Sequence, residues 1–161
     1  MTIKPDAIIQ SYYQAIDSAT HDNQGNFAVR ESYINPIMGL FDTNAVYTRK
    51  TMNTDADVYT GNEAIKEFFL QKRRLVGQHN ITDITVSTSD DGLSQVKVNG
   101  VYHGKSYALT PPETQATSHY VRLPFKDEFC LDVMGKITAR TSHIYSRQFI
   151  QNLPVTAPAR Y

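Results

Sequence analysis

A strand-like stretch in the second half of the chain places two titratable side chains in an otherwise apolar row. Alternate residues of this stretch are His119, Val121, Leu123, Phe125, Asp127 and Phe129. Residues two apart on a strand share a face, so these side chains point the same way. An imidazole and a carboxyl group in an apolar wall are groups that enzymes use to move protons. We therefore predict that this face lines a pocket, with His119 and Asp127 as candidate catalytic groups.

The final strand of the sequence adds a second histidine to the predicted pocket. Its alternate residues are Ile137, Ala139, Thr141, His143 and Tyr145. A regular strand places all of them on one face, whereas a β-bulge would turn every later side chain to the opposite face. An imidazole titrates near neutral pH, so His119 or His143 is expected to shuttle protons.

The other candidate residues are expected to bind a ligand. They are Tyr47, Arg49, His79, Tyr102, Phe125 and Tyr145. Arg49 shares a strand face with Tyr47, stays charged at any working pH and can bind a carboxylate or an enolate oxygen. Two structural roles also stay open. Arg49 can pair with an acid such as Asp127, since buried charges are seldom unpaired, and His79 can make a structural hydrogen bond at the start of its strand.

Helical periodicity predicts three helices in the first half of the chain. The first begins at Pro5, because proline suits the first helical position. Its apolar face consists of Ile9, Tyr12, Tyr13 and Ile16. The second is predicted over 33–41, with Pro36 in its first turn or at a break. The third is predicted over 61–75, with Asn62 as its N-cap.

Alternating patterns predict one strand before the third helix and four strands after it. The first strand covers 45–51, and the polar stretch 53–57 behind it is predicted to be a loop. The later strands cover 79–88, 93–104, 116–131 and 136–147. Consecutive strands predict an antiparallel meander, and helices followed by strands predict an α+β fold. We expect a single domain over 1–148 and an extended tail over 149–161, which contains two prolines.

Composition argues against several classes of function. The 161 residues fit one ordinary domain. The 16 basic and 16 acidic side chains balance, so no nucleic-acid partner is expected. The single cysteine, Cys130, cannot form an internal disulfide, and no apolar run is long enough to cross a membrane or to act as a secretion signal. A cytoplasmic protein without a membrane partner is therefore expected.

The sequence predicts neither a metal nor a cofactor. Paired cysteines are lacking, and so are the His-x-x-x-His and His-Glu-x-x-His spacings that hold zinc. The glycines are scattered and form neither a phosphate-binding loop nor a dinucleotide-binding motif. Any reaction is expected to use the side chains of the protein alone.

The order of these elements resembles the nuclear transport factor 2-like superfamily, and its SnoaL-like members in particular. The resemblance covers residues 6–148. The segments that carry it are Ile9-Gln-Ser-Tyr-Tyr-Gln-Ala-Ile16, Leu40-Phe41 with Asn44-Ala-Val-Tyr47, Tyr59-Thr-Gly61 with Ile65 and Phe68-Phe69, His79-Asn-Ile81, and Gly135-Lys-Ile137. The resemblance implies a cone-shaped, curved and mostly antiparallel sheet that wraps around about three N-terminal helices. It also implies a central cavity and, commonly, a homodimer.

The superfamily includes ketosteroid isomerases, polyketide cyclases, dehydratases and epoxide hydrolases, so the resemblance does not fix a reaction. Similarity to the ketosteroid isomerases implies that Tyr12 and a protonated Asp127 bind an enolate oxygen. Tyr12 can equally be a buried core residue. The position of the catalytic base in those enzymes holds Arg49, which cannot abstract a proton. The acid of the epoxide hydrolases corresponds to Ser142, which argues against that chemistry.

Two hypotheses about function follow. In the first, the protein is a cofactor-independent isomerase, cyclase or dehydratase that acts on an apolar, carbonyl-containing small molecule. In the second, it is a non-catalytic ligand-binding or dimeric assembly module with the same fold. A polar cluster that faces an open cavity favours the enzyme, and a cavity filled by tyrosine side chains favours the module.

Overall fold

The computed structural model describes residues 4–21, 27–51, 55–70, 75–106, 119–144 and 151–154. Over these ranges the elements are α1 (Pro5–His21), α2 (Phe27–Met38), β1 (Phe41–Thr51), β2 (Asp57–Thr60), α3 (Asn62–Leu70), β3 (Leu75–Thr88), β4 (Ser94–Ser106), β5 (His119–Leu131), β6 (Ile137–Ile144) and β7 (Gln151–Pro154). Helices precede most of the strands, as the sequence predicts for an α+β fold. Among the described helices, none is long and apolar enough to cross a membrane.

The strands form one curved, open sheet in the order β2-β1-β6-β5-β4-β3. The predicted meander is confirmed, because β3, β4, β5 and β6 pair with their chain neighbours in antiparallel fashion. The sheet is mixed, since β1 pairs with β6 in parallel. Within the predicted tail, β7 pairs with β5, and the rest of that segment lies outside the described residues. The division into 1–148 and 149–161 stays a prediction.

The core lies between the concave face of the sheet and the helices. α1 packs against β3 and α2, and α3 packs against β1. The predicted apolar face of α1 is confirmed, because Ile9, Tyr12, Tyr13 and Ile16 are all buried. From the sheet, Phe129 and Ile137 are fully buried against these helices. The helices therefore cover one face of the sheet and determine where a cavity can form.

The predicted boundaries of the second helix are wrong. α2 begins at Phe27 rather than at residue 33, and Pro36 lies near its end rather than in its first turn. The helix has only a weak amphipathic pattern, so its start gave little signal in the sequence. Proline disfavours continuation of a helix, which agrees with the end of α2 at Met38.

The structure also differs from the prediction on both sides of the third helix. The sequence predicts Asp57 in a loop, but this residue begins the short strand β2, which pairs with β1. α3 ends at Leu70, and Leu75 begins β3 instead of ending the helix. Leu75 pairs with Ser106, so the long β3–β4 ladder takes residues that local pattern assigned to the helix.

A bulge in β6 changes the face that its side chains present. Cys130 and Leu131 of β5 are opposite Ala139 and Ile137, so the ladder skips one residue of β6. Beyond this point Arg140 and Ser142 are buried. The predicted inward row from residue 137 to 145 is therefore wrong after Ile137, although His143 still reaches the cavity from the end of the strand.

Gly100 of β4 is required by the close approach of two neighbours. A Cβ atom at this position would lie 2.3 Å from the Asn80 carbonyl oxygen and 2.6 Å from the Phe125 ring. We expect Gly100→Ala to lower the free energy of unfolding by about 1–3 kcal/mol, because the backbone or the ring must shift. Asn99→Ala, an exposed neighbour on the same strand, is the control, and denaturant unfolding is the measurement. Equal stability of both variants would contradict this account.

Candidate functional site

A cavity of about 220 Å³ opens between the helices and the concave face of the sheet. Its walls are mainly apolar and include Phe68, Phe69, Leu123 and Phe125. The charged and polar residues that line it are Arg49, His79, Asp127, Arg140, Ser142 and His143. Tyr47 and Tyr102 also border the cavity without filling it. An apolar pocket with a few convergent polar groups is the usual form of a small-molecule site.

A buried ion pair forms one wall of the cavity. Arg140 Nη2 donates to Asp127 Oδ2 at 3.0 Å, and the two residues are 7% and 3% exposed. The Tyr13 hydroxyl donates to the same carboxylate oxygen, and Arg140 Nη1 donates to the Tyr12 hydroxyl. Asp127 thus pairs with Arg140, and the alternative of a pair with Arg49 is not what the structure shows. These contacts hold the cluster in one arrangement.

Aromatic rings surround the guanidinium group of Arg140. Its carbon Cζ lies 5.0 Å from the ring centroid of Tyr12, 4.7 Å from that of Tyr47 and 5.5 Å from that of Phe129. Ring faces attract a cation, and this attraction is stronger when water is excluded. The rings therefore offset part of the cost of burying the charge of Arg140.

The charges of this cluster follow from opposing effects on each pKa. Burial raises the pKa of Asp127, but the Arg140 charge and the hydrogen bonds from Tyr13, Arg140 and Ser142 outweigh it, and the pKa is lowered. Burial, together with the Asp127 charge, raises the pKa of the Tyr13 phenol well above its usual range. Burial lowers the pKa of Arg140, but the neighbouring tyrosines and Asp127 have the larger, opposite effect. The pKa of Arg140 is therefore raised above its usual value. Asp127 is therefore a carboxylate rather than the protonated acid that the resemblance implied.

The lowered pKa of Asp127 gives an expected pH dependence of stability. Its folded pKa lies below the unfolded value of about 3.9, so its stabilisation is complete above that pH and is lost as pH falls through the folded pKa. We expect the free energy of unfolding to decrease below about pH 4 more steeply in the wild type than in Asp127→Asn, by up to about 1.4 kcal/mol per pH unit. Urea unfolding between pH 7 and pH 2 measures both slopes. If the free energies of unfolding of the two proteins fall in parallel with pH, the lowered pKa of Asp127 is contradicted.

A histidine at the cavity wall and an aspartate of α1 form a second polar pair. Asp17 Oδ1 lies 2.6 Å from His79 Nδ1, and Asp17 Oδ2 accepts the backbone N–H of His79 at 2.8 Å. The His79 ring also packs against the rings of Tyr13, Tyr102 and Phe125, with centroids 5.0, 4.8 and 5.0 Å away. The two bonds from one carboxylate fix the position and the orientation of the imidazole.

His79 separates the cavity from a polar surface groove. The groove lies between α1 and β3 and is lined by Asp17, Ser18, Gln14, Gln78 and Asn80 among others. His79 borders both spaces, whereas Asp17 borders the groove. One side of the imidazole therefore faces the apolar cavity, and its carboxylate partner lies on the side that solvent reaches.

Arg49 lines the cavity from β1. Its guanidinium carbon lies 4.9 Å from the ring centroid of Phe68. On the same strand, the Tyr47 hydroxyl lies 3.1 Å from Oγ of Ser142, a residue of the neighbouring strand β6. His143 Nε2 lies 3.8 Å from Glu128 Oε2, which is beyond hydrogen-bonding distance.

The structure brings together most of the residues that the sequence predicted for a site. Tyr47, Arg49, His79, Tyr102, Phe125, Asp127 and His143 line the cavity. Tyr12 is fully buried and contacts Arg140. The side chain of His119 and the whole of Tyr145 lie outside the described residues. The roles of all these residues stay proposals.

Sequence reasoning missed Tyr13, Asp17, Arg140 and Ser142 as site residues. Asp17 lies four residues after Tyr13 and therefore on the same side of α1, so an acid on an apolar helix face was a usable signal. For Ser142, the resemblance indicated only that a serine replaces the acid of the epoxide hydrolases. Arg140 gave no signal, because a regular strand would have turned it outward.

Comparisons with known proteins agree with this architecture. No family model matches the sequence, and the comparison with curated proteins gave no significant match. Solved structures do match it. A protein from Pseudomonas putida KT2440, described as a candidate polyketide cyclase, gives a TM-score of 0.61 at 17% identity over 92% of this chain and 96% of the other.

Two further structures extend the comparison. SalBIII, described as an epoxide hydrolase/cyclase-like enzyme in pyran ring formation in polyether salinomycin, gives a TM-score of 0.60 at 17% identity over 92% of this chain and 95% of its own. An NTF2-like protein of unknown function from Exiguobacterium sp. 255-15 gives a TM-score of 0.56 at 16% identity. This match covers 93% of this chain and 99% of the other. Identities this low show the fold alone. The predicted resemblance is thereby confirmed for the fold: this chain has the α+β fold of the nuclear transport factor 2-like proteins.

Proposed function

We propose that the protein is a cofactor-independent isomerase, cyclase or dehydratase that acts on a small, apolar, carbonyl-containing molecule. The observation that carries this proposal is the His79–Asp17 pair at the wall of an apolar cavity that also contains Arg49. A base and a cation that face one apolar space can remove a proton and stabilise the resulting charge.

The size of the cavity limits the ligand. Its volume of about 220 Å³ is below the range of about 300–1,000 Å³ that is typical of pockets for drug-sized molecules. A molecule of one or two rings suits this space better than a steroid. The apolar walls supply most of the contact area, so the ligand needs few polar groups beyond its carbonyl.

His79 is the proposed proton-transfer group. Asp17 as a carboxylate can only accept hydrogen bonds, so it holds the proton of the imidazole at Nδ1. The second nitrogen, Nε2, then carries the lone pair that accepts a proton from the ligand. This assignment moves His79 from the predicted ligand-binding residues to the catalytic role that the sequence gave to His119 or His143.

The proposed reaction begins at a carbon next to the carbonyl group. His79 Nε2 takes a proton from that carbon, and the electron pair of the C–H bond moves to the carbonyl oxygen, which becomes an enolate. Arg49 is the proposed donor to this oxygen, because its guanidinium group borders the same cavity. Asp127 is bound to Arg140 and Tyr13, so its proposed role is to position Arg140.

The enolate has three possible fates, and each balances without a further reactant. Return of the proton from His79 to a different carbon gives isomerisation. Loss of a hydroxyl group from the β-carbon, with the proton of His79, gives water and dehydration. Attack of the enolate carbon on a second carbonyl of the same molecule, whose oxygen takes the proton, gives cyclisation.

The experiment that tests this proposal is deuterium exchange into small cyclic ketones. The protein is incubated in D₂O with 1-indanone or 2-tetralone, and NMR follows the loss of the protons next to the carbonyl. We expect exchange faster than in buffer, with saturation at high ketone concentration. Saturable binding without any acceleration would favour the ligand-binding module, and neither binding nor exchange would overturn both forms of the pocket hypothesis.

The predicted homodimer is also part of the proposal. The face of the meander away from the helices is its proposed contact, and this face includes the exposed cross-strand neighbours Thr85 and Lys97. A stable contact of this kind buries more than about 1,000 Å² in total. Sedimentation velocity measures the mass in solution, and a monomer at micromolar concentration would overturn this part.

A further inference from the structure

Among the described residues that line the cavity, permanent positive charges outnumber negative charges by one. Arg49 and Arg140 are cations, and Asp127 is the carboxylate among the charged lining residues. Arg140 pairs with Asp127, so this pair has no net charge. Asp17 borders the groove and not the cavity, and its carboxylate contacts His79. The surplus charge belongs to Arg49.

Arg49 has no acidic partner within the described part of the chain at ion-pair distance. Asp57 is opposite Arg49 in the β1–β2 ladder, but it is exposed and forms no ion pair with it. Arg49 itself is only partly exposed and lies over the ring of Phe68. A charge that faces an apolar cavity is stabilised when an opposite charge enters.

Within the described part of the chain, two buried nitrogen atoms of residues that line the cavity also lack hydrogen-bond partners. They are Nε of Arg140 and Nε2 of His143, and the His143 nitrogen faces the Glu128 carboxylate at 3.8 Å. The Arg140 nitrogen can only donate, so it needs an acceptor. A buried polar group without a partner is costly, and such an atom beside a cavity indicates a missing acceptor.

The register of the sheet places Arg49 next to the cavity-lining part of β6. Arg49 of β1 is opposite Ser142 of β6, and Ser142 lies between Arg140 and His143 along the strand. An acceptor at this point of the cavity wall is therefore next to the surplus cation and on the same face of β6 as Arg140, which lies two residues before Ser142.

We propose that the ligand of this cavity is an apolar monoanion, a molecule of one or two rings whose single carboxylate binds at Arg49 beside β6. This inference rests on the proposed function and narrows its substrate class. It adds that the negative charge is present in the ground state, before any proton transfer to His79.

The test compares two probes that differ in charge alone. They are 2-naphthoate and 2-naphthamide, which have the same ring system and nearly the same size. Titration calorimetry at low and at physiological salt measures both dissociation constants. We expect 2-naphthoate to bind at least about tenfold more tightly, because hydrogen bonds to charged groups are the stronger ones.

Two variants test whether Arg49 causes the preference for 2-naphthoate. Arg49→Met keeps the length and the contact with Phe68 but removes the charge, and we expect it to abolish the preference for 2-naphthoate. Lys50→Met is the matched control, since Lys50 is the next residue of β1, is exposed and is not among the cavity residues. It is expected to leave both dissociation constants within about twofold of the wild type.

The outcomes separate this inference from the proposed function. Equal affinities, or tighter binding of the amide, would overturn the monoanion and leave the pocket with its neutral carbonyl ligands intact. A preference that survives in Arg49→Met would overturn the assignment to Arg49. If neither probe binds and no ketone undergoes exchange, the inference fails together with the proposed function.

Discussion

Arg140→Met is expected to lower the free energy of unfolding by about 3–5 kcal/mol. Methionine fills much of the volume of the arginine but leaves the Asp127 carboxylate buried with Tyr13 as its remaining strong donor. Asp127 is 3% exposed, so water cannot replace the lost cation without a local rearrangement. Tyr12 also loses the hydrogen bond from Arg140. The penalty arises mainly from an uncompensated charge, and less from lost packing.

Chemical denaturation and calorimetry measure this effect. For a protein of this size we expect the thermal midpoint to decrease by about 6–20 °C. Arg122→Met is the matched control, because Arg122 is an exposed residue of β5 and the same substitution there leaves no buried charge. It is expected to change the free energy of unfolding by less than about 0.5 kcal/mol.

A double variant tests whether the unpaired Asp127 carboxylate causes the loss of stability in Arg140→Met. Arg140→Met combined with Asp127→Leu removes both charges, and we expect it to recover most of the lost stability, since apolar side chains often replace a buried ion pair at little cost. If the double variant is no more stable than Arg140→Met alone, packing around the guanidinium would be the larger effect. The present account of the cluster would then be wrong.

The strand that contributes Asp127 could be predicted from alternation alone. β5 pairs with β4 from His119 to Leu131 without a register shift. A regular ladder keeps the period of two, so the apolar row that contains Asp127 and Phe129 lies on the buried face. The cavity wall on this strand therefore followed from the sequence.

The strand that contributes Arg140 could not be predicted in the same way. Its bulge depends on how β6 is placed between β1 and β5, and no short sequence pattern marks that placement. One inserted residue reverses the faces, so Arg140 turns into the core where alternation placed Ala139 and Thr141. The partner of Asp127 was missed for this reason.

The His79–Asp17 pair depends on tertiary structure. The two residues are 62 positions apart, and they meet because α1 packs against β3. Sequence patterns place each residue on a face of its own element but do not predict which elements face each other. The acid on the apolar side of α1 indicated only that some partner was needed.

His79→Gln is expected to slow deuterium exchange into bound ketones by about 10²–10⁴-fold, because glutamine cannot accept the proton. Asp17→Asn is expected to slow it by at least about tenfold, since an amide at that position can donate to Nδ1 and leave the proton of the imidazole on Nε2. The dissociation constants of the ketones should change little in both variants. The loss is therefore expected in the rate at saturation and not in binding.

His103→Gln is the control for loss of a histidine. His103 lies on β4 next to Tyr102, whose side chain borders the cavity, so alternation turns His103 to the other face of the sheet. Exchange in this variant should match the wild type.

If His79→Gln keeps the wild-type rate while His143→Gln loses it, the base is on β6 and the His79–Asp17 pair is structural. If all the histidine variants retain the rate, proton transfer at this cavity does not use an imidazole, and the carboxylate of Asp127 becomes the group to replace next.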